Sequence, residues 1–210
     1  GQIAIQAAHR RQGAVVFLSG REPSEVIVAN MICGLAEVVA QHLKAGSLGV
    51  EALSRVVAAS ERLSSTSLHF WSMTDDSWET SHSKSTPGLA NQIGREHLAR
   101  LLVVDDIDTL LEEPILTVLP RLRQWCRAAQ FTLVATVPEE LVMEQGHLLP
   151  VVRREVDVAL RLSRDDQFDQ SSPRAGEADL HVLRDRTGPI DEIVLAFQGH
   201  YRRFAAFLYG

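Results

Sequence analysis

Residues 101–108 have the sequence LLVVDDID, in which four branched apolar residues run directly into two aspartates. An apolar run of this length is typical of a strand that is buried on both faces, as in a parallel sheet. Acidic residues directly after such a strand lie at its carboxyl edge, where α/β proteins often bind a metal–phosphate complex. The stretch therefore predicts an α/β fold and makes Asp105 the first candidate functional residue. An acid at a strand end is also commonly a helix cap or a loop partner, and this alternative stays open.

Segments on both sides of this stretch alternate between strand and helix patterns. Strands are predicted at 14–19, 67–73, 131–137, 156–162, 179–185 and 191–198. Helices are predicted at 1–12, from a cap at Ser24 to about Lys44, at 49–63, 88–98 and 115–129, and as a short helix at 139–145. The polar stretch 74–87 is predicted to be a loop. Alternating strands and helices followed by a run of strands predict one α/β domain over 1–210, with a mainly parallel sheet flanked by helices and antiparallel strands at its C-terminal edge.

Composition restricts the function only weakly. The chain has 210 residues, 45% of them apolar, and a net charge of −6, which argues against a stand-alone nucleic-acid binder because such modules are normally basic. A ring that concentrates a few arginines in a channel is not excluded. The apolar runs fall far short of the roughly 18 residues that a membrane span needs, so no membrane association is expected. Cys33 and Cys126 lie in apolar helical patterns, which predicts reduced core residues and a cytoplasmic protein.

Common catalytic motifs are missing from the sequence. No G-x-x-x-x-G-K-[ST] phosphate-binding loop and no G-x-S-x-G nucleophile elbow occurs in the 210 residues. The histidines show no spacing with cysteine or acid that would indicate a zinc site. The acid at the strand end is therefore the main indication of chemistry.

Four segments carry a resemblance to a known family. FLSGREPSEVIVANMIC at 17–33 resembles the segment after the phosphate-binding helix in DnaB-type replicative DNA helicases, and LRDRTGPIDEIVLAFQGHYRRF at 183–204 is similar to that family's closing signature. LLVVDDIDTL takes the position of the Walker B strand, and VDVALRLSRDD at 156–166 that of an Asp-Val apolar strand. Their order and spacing match the family across nearly the whole chain.

The resemblance implies a RecA-like domain of the P-loop NTPase superfamily that forms a hexameric ring around single-stranded DNA. ATP and Mg²⁺ bind between subunits in such rings, and other replication proteins are candidate partners. Carried over, Asp105 is the Mg²⁺-associated acid, and Asp105 and Asp106 border the cofactor. Arg184 and Arg186 are the inter-subunit arginine fingers, which suits a permanently charged guanidinium; the alternative is solvent-facing charge on an edge strand.

Other positions have weaker assignments. Arg153 and Arg154 fall in the region of the DNA-contacting loop, GHLLPVVRRE at 146–155, and exposed charge is the slightly favoured alternative. Arg123 and Arg127 are four residues apart on one helix face, for which the pattern favours a solvated face over a DNA-facing or subunit-facing stripe. Trp78 in the polar stretch is a candidate partner contact.

The resemblance is weakest at the catalytic positions. Arg21 stands where the family has its catalytic glutamate, and an arginine cannot serve as a general base because it stays protonated. Asp108 stands at the position of a glutamine, and the phosphate-loop lysine would fall a few residues before Gly1. The internal residues Arg21 and Asp108 predict a non-catalytic or degenerate helicase relative, whereas the missing loop by itself favours neither this hypothesis nor an active motor. The alternative is an active ATP-dependent motor whose phosphate-binding loop lies upstream of Gly1. An α/β domain with only coincidental similarity is the third possibility.

Overall fold

The computed structural model describes residues 1–10, 13–72, 99–111, 113–169 and 171–206. The predicted loop at 74–87 with Trp78 and the predicted helix at 88–98 lie outside these residues. No helix in the described ranges has the length and apolar character to cross a membrane.

The described helices and strands follow the predicted alternation. The helices are α1 (Gln2–His9), α2 (Ser24–Ala36), α3 (Ala40–Ala45), α4 (Val50–Ser64), α5 (Ile115–Ala129) and α6 (Pro150–Glu155). The strands are β1 (Ala14–Ser19), β2 (Leu68–Ser72), β3 (Ala99–Asp105), β4 (Thr132–Ala135), β5 (Met143–Glu144), β6 (His147–Leu148), β7 (Val158–Ser163), β8 (Glu177–Asp185), β9 (Glu192–Gln198) and β10 (Arg203–Ala206).

Strands β1 to β4 form a parallel sheet in the order β2-β1-β3-β4. β3 is central and pairs with β1 so that Val103 lies opposite Phe17 and Asp105 opposite Ser19. Side chains alternate between the two faces of a strand, so β1 and β3 contribute to two separate cores. Phe17 and Val103 pack against α1 and α2 on one face, and Leu18 and Leu102 pack against α5 on the other. The apolar run at 101–104 is thus covered on both faces, as its composition predicts.

Strands β7 to β10 form a second, antiparallel sheet in the order β10-β9-β8-β7. The predicted combination of a helix-flanked parallel sheet and C-terminal antiparallel strands is confirmed, with the antiparallel strands pairing among themselves. Leu162, Leu180 and Ile193 lie in one cross-strand row. His181 belongs to the neighbouring row, on the opposite face of the sheet.

Several local predictions differ from the structure. Pro23 rather than Ser24 is the N-cap of α2, and the helix ends at Ala36 instead of continuing to Lys44. It ends because Glu37 adopts a left-handed conformation with φ 52°, after which Val38 enters a small core cluster. The predicted helix at 139–145 is wrong beyond a 3₁₀ turn at Glu139–Leu141.

The missed elements are short. The sequence analysis did not predict α6, β10 or the hairpin of β5 and β6. The hairpin turn is made by Gln145 and Gly146, both with positive φ. A polar residue followed by glycine is a recognisable hairpin signal, but flanking strands of two residues are too short to show alternation.

Both cysteines are free thiols; Cys33 is buried in the core as predicted, whereas Cys126 is only partly buried. Burial raises the pKa of the Cys33 thiol and raises that of Cys126 to about 11. Both side chains therefore stay protonated at neutral pH and are poor nucleophiles.

Candidate functional site

Asp105 ends β3 at the carboxyl edge of the parallel sheet. Its backbone carbonyl accepts a hydrogen bond from the Gly20 N–H at 3.1 Å. Its Oδ1 accepts a hydrogen bond from the Thr136 hydroxyl at 2.7 Å, and the same hydroxyl oxygen accepts from the Asp106 N–H at 2.9 Å. Asp105 is therefore at the predicted edge, but one of its carboxylate oxygens already ties β3 to the segment that follows β4.

Arg21, in the loop after β1, lies among the aspartates that end and follow β3. Its guanidinium is 3.2 Å from an Asp106 carboxylate oxygen and 3.8 Å from one of Asp108. Burial raises the pKa of Asp106, the charge of Asp105 raises it further, and Arg21 opposes both effects. Arg21 is thus a cation that partly neutralises the acids around it.

The loop that carries Arg21 is held by two buried serines. Ser19 and Ser72 lie opposite each other at the ends of β1 and β2, with 1% and 2% of their surfaces exposed. The Ser19 hydroxyl oxygen accepts hydrogen bonds from the N–H groups of Glu22 and Arg21 at 2.9 and 3.3 Å. The Ser72 hydroxyl donates to the Glu22 carbonyl at 2.8 Å. These contacts fix the backbone at Arg21 and Glu22 relative to the sheet.

Gly20 lets this loop pack directly against the turn that follows β3. A Cβ atom at this position would lie 1.8 Å from the Thr109 Oγ1 and 3.0 Å from the Asp106 carbonyl oxygen. Those distances are shorter than van der Waals contact, so any larger residue would push the two segments apart. The close approach of Arg21 to Asp106 therefore depends on glycine at position 20.

The start of α1 lies close to the same edge. The backbone nitrogen of Gly1, directly before α1, lies close enough to the Asp105 carboxylate for the two to interact electrostatically. The helix N-terminus, with its partial positive charge, thus adjoins the predicted Mg²⁺-associated acid.

The two predicted arginine fingers contact the connection between α6 and β7 in their own chain. Arg184 donates to the Val156 carbonyl at 2.9 Å. Arg186 pairs with the Asp157 carboxylate at 2.8 Å, and this contact lowers the pKa of Asp157. The structure brings both arginines to one connection, and their role between subunits stays a prediction.

Arg123 is a member of the same network, so the interpretation of a solvated helix face is wrong for this residue. Only 20% of its side chain is exposed, and its guanidinium is 3.5 Å from Glu155 and 3.7 Å from Asp157. It also donates to the Arg154 carbonyl at 2.7 Å. Periodicity could not show this, because the acids come from a segment about 30 residues further along the chain. Arg127, one turn later on the helix, is exposed.

The two candidate DNA-contacting arginines lie in the last turn of α6. Arg153 is exposed, and the largely exposed Arg154 donates to Glu155 at 2.9 Å and is the main cause of that residue's lowered pKa. The structure thus places the predicted site residues in two groups. One surrounds Asp105 and Arg21 at the sheet edge, and the other surrounds residues 155–157. Thr136, which joins Asp105 to β4, gave no sequence signal.

No protein-family model matches the chain. The chain is similar to curated replicative DNA helicases. It is 44% identical to the replicative DNA helicase DnaB of Leifsonia xyli subsp. xyli over 54 residues, which are 26% of the chain and 12% of that protein. It is 20% identical to the replicative DNA helicase DnaC of Bacillus subtilis over 229 aligned positions, which cover 96% of the chain and 48% of that protein. The chain therefore spans about half, or less, of the length of these relatives.

Solved structures share the fold. A DnaB-like replicative helicase, described with its interactions with primase, matches 98% of the chain and 53% of its own length with a TM-score of 0.75 and 18% identity. A second solved structure, an ATPase domain, matches 98% of the chain and 78% of its own length with a TM-score of 0.75 and 17% identity. The fold is thus the RecA-like fold of helicase ATPase domains, as predicted.

Proposed function

Because the chain resembles DnaB-type replicative helicases along nearly its whole length, we propose that it is a non-catalytic or degenerate relative of these motors that acts in DNA replication. In this proposal the RecA-like domain, a single domain over residues 1–210, keeps its scaffold and its contact surfaces and has lost ATP hydrolysis. ATP and Mg²⁺ are the cofactors of the ancestral site, and this chain binds them weakly or not at all.

The observation that carries the proposal is the ion pair of Arg21 with Asp106. Hydrolysis needs a group that accepts a proton from water or positions it, and a permanently charged guanidinium cannot accept one. The pairing also places a positive charge among the acids beside Asp105. In this proposal, an arginine in place of the base, paired with the neighbouring acids, abolishes ATP hydrolysis. The sheet and its helices are retained.

The partners in this proposal follow the resemblance. The chain assembles head-to-tail with copies of itself or with a catalytic relative, in a ring of six, and Arg184 and Arg186 lie at the contact. Single-stranded DNA in the central channel meets Arg153 and Arg154, and other replication proteins bind the ring. The setting is the cytoplasm, where replicative helicases meet their template.

The experiment that tests the proposal measures ATP hydrolysis by the protein as encoded, with any residues that precede Gly1. Turnover is measured with Mg-ATP, with and without single-stranded oligonucleotide, alongside calorimetric titration of Mg-ATP. We expect no turnover and weak or undetectable binding in both conditions. Turnover stimulated by oligonucleotide would refute the proposal.

Charge-changed variants locate the cause of the lost activity. Arg21→Glu restores a carboxylate at the catalytic position, and Arg62→Glu on α4 makes the same charge change at an exposed site away from the sheet edge. If Arg21 alone prevents hydrolysis, Arg21→Glu gains turnover and Arg62→Glu does not. If neither variant gains turnover, the loss extends beyond position 21.

The second candidate is the active motor with an upstream phosphate-binding loop. Among the residues that the structure describes, β4 and β7 each lie at an edge of their sheets, and Val158, Leu160 and Leu162 on β7 are 51%, 51% and 48% exposed. A further strand supplied from before Gly1 would pair with such an open strand edge, and the loop after it would meet the start of α1 beside Asp105. A Gly-Lys-Ser or Gly-Lys-Thr sequence just before Gly1, together with turnover, would favour this candidate.

A further inference from the structure

Three side chains with metal-binding atoms converge on the polar face of the antiparallel sheet. Asp179 and His181 are two residues apart on β8, so both point to the same face. Glu192 lies directly opposite His181 on β9. One ligand atom from each of the three residues lies within 4.8 Å of the others. This cluster is separate from the Asp105 edge and from the network around residues 155–157.

The spacing within the cluster suits one small cation. The His181 Nδ1 is 3.4 Å from a Glu192 carboxylate oxygen. Two ligands bound to one tetrahedral zinc ion at the usual bond lengths are separated by about 3.3 Å. The other ring nitrogen, Nε2, is 3.3 Å from the Ser163 hydroxyl. A hydrogen bond on the second ring nitrogen is the usual way in which proteins orient a metal-binding histidine.

Asp179 is already hydrogen-bonded by Arg174, and its carboxylate oxygens keep further lone pairs. Arg174 donates to both of these oxygens. The contact holds the pKa of Asp179 below its ordinary value, so the carboxylate is ionised at neutral pH. Arg174 therefore fixes the orientation of the ligand, as hydrogen-bond donors commonly do for metal-binding carboxylates.

The charges around the cluster leave an excess of negative charge. Arg174 also contacts Glu177 at 2.8 Å and Asp165 at 3.7 Å. Arg161, opposite His181 in the neighbouring strand, pairs with Glu139 at 2.9 Å. Two arginines are thus accompanied by five carboxylates, namely Glu139, Asp165, Glu177, Asp179 and Glu192. A divalent cation would reduce this excess without displacing either arginine.

We propose that Asp179, His181 and Glu192 bind a divalent transition metal of the zinc class. Imidazole with two carboxylates selects zinc, cobalt, nickel or iron over magnesium, which prefers oxygen ligands alone. The side chains are 11%, 29% and 58% exposed, so water reaches the metal and completes its coordination. The bound ion links β8 to β9 and stabilises the antiparallel sheet.

Cobalt is the probe that tests this site. Chelator-treated protein is titrated with Co²⁺, and visible absorption of the bound ion is followed, with Zn²⁺ added afterwards as a competitor. We expect one Co²⁺ per chain, displacement by Zn²⁺, no displacement by Mg²⁺, and a higher melting temperature with Zn²⁺. No absorption change together with no thermal shift would overturn the proposal.

Matched variants assign the ligands. His181→Gln and Glu192→Gln should each weaken Co²⁺ binding by more than about tenfold, and Ser163→Ala should weaken it by about tenfold. His42→Gln, on the exposed surface of α3, removes a histidine elsewhere and should leave binding unchanged. Circular dichroism checks that each variant is folded. Binding that is unchanged in folded His181→Gln and Glu192→Gln would equally overturn the site.

Discussion

Replacement of Arg21 by methionine removes the cation from the sheet edge and keeps an apolar side chain of similar length. The two carboxylate contacts of Arg21, at 3.2 and 3.8 Å, are lost, and 57% of this side chain is exposed. Because exposed ion pairs each contribute about 0.2–1 kcal/mol, we expect the free energy of unfolding to fall by about 1 kcal/mol at neutral pH and low salt. In a chain of this size that corresponds to about 2–4 °C in melting temperature.

The loss should depend on pH in a defined direction. The pKa of Asp106 is already raised in the folded state by burial and by Asp105, and Arg21 restrains the rise. A carboxyl whose folded pKa exceeds its unfolded value favours folding below the unfolded pKa, and this contribution is lost as pH rises through the folded pKa. Removal of Arg21 raises the pKa of Asp106 further. The free energy of unfolding of Arg21→Met should therefore lie furthest below that of the wild type above the folded pKa of Asp106. The difference should shrink as the pH falls and Asp106 is protonated.

Urea unfolding of wild type, Arg21→Met, Arg21→Lys and Arg62→Met measures this effect. The measurements are made from pH 7 down towards the ordinary aspartate pKa of about 4, at low and high salt. Arg21→Lys keeps the charge and should lose less stability, and Arg62→Met controls for removal of an exposed arginine. If the loss of unfolding free energy in Arg21→Met is the same at every pH and salt concentration, the electrostatic explanation is refuted. The loss would then come from altered packing of the side chain.

Three further changes test the site. Gly20→Ala should destabilise the fold by about 1–3 kcal/mol in thermal unfolding, because its Cβ would meet Thr109 at 1.8 Å, and adding Thr109→Ala should recover part of the loss. Asp105→Asn should barely change Mg-ATP binding to this chain in calorimetry, since the amide oxygen still accepts from Thr136; a large loss of affinity would mean that Asp105 holds the nucleotide complex. Arg186→Ala should weaken self-assembly in sedimentation while leaving the monomer folded, and unchanged assembly would count against its place at a subunit contact.

Local sequence patterns were sufficient for most of the scaffold. The apolar runs at 14–19 and 101–105 are strands of a parallel sheet, and the helix predicted at 115–129 has those bounds in the structure. These elements were predictable because burial on two faces, or on one helical stripe, imposes a repeat that is visible within a single segment. The edge position of Asp105 follows from the same reasoning.

The surroundings of that acid were not predictable in this way. The family resemblance predicts that Arg21 replaces a catalytic glutamate, but only the folded chain shows its pairing with Asp106 and the contact of Asp105 with Thr136. The contacts of Arg123 with Glu155 and Asp157 were equally unpredictable from the sequence. The helix pattern showed only the face of the helix on which Arg123 lies.

The sequence by itself determined the α/β scaffold and the strand that ends in Asp105, and its resemblance to DnaB-type helicases predicts that a base is missing at position 21. Only the tertiary structure decided which side chains meet, including Ser19 with Ser72 and His181 with Glu192. The physical reason is that side-chain periodicity is a property of one segment. Strand register and loop packing depend instead on the hydrogen bonds and burial of segments far apart in the chain.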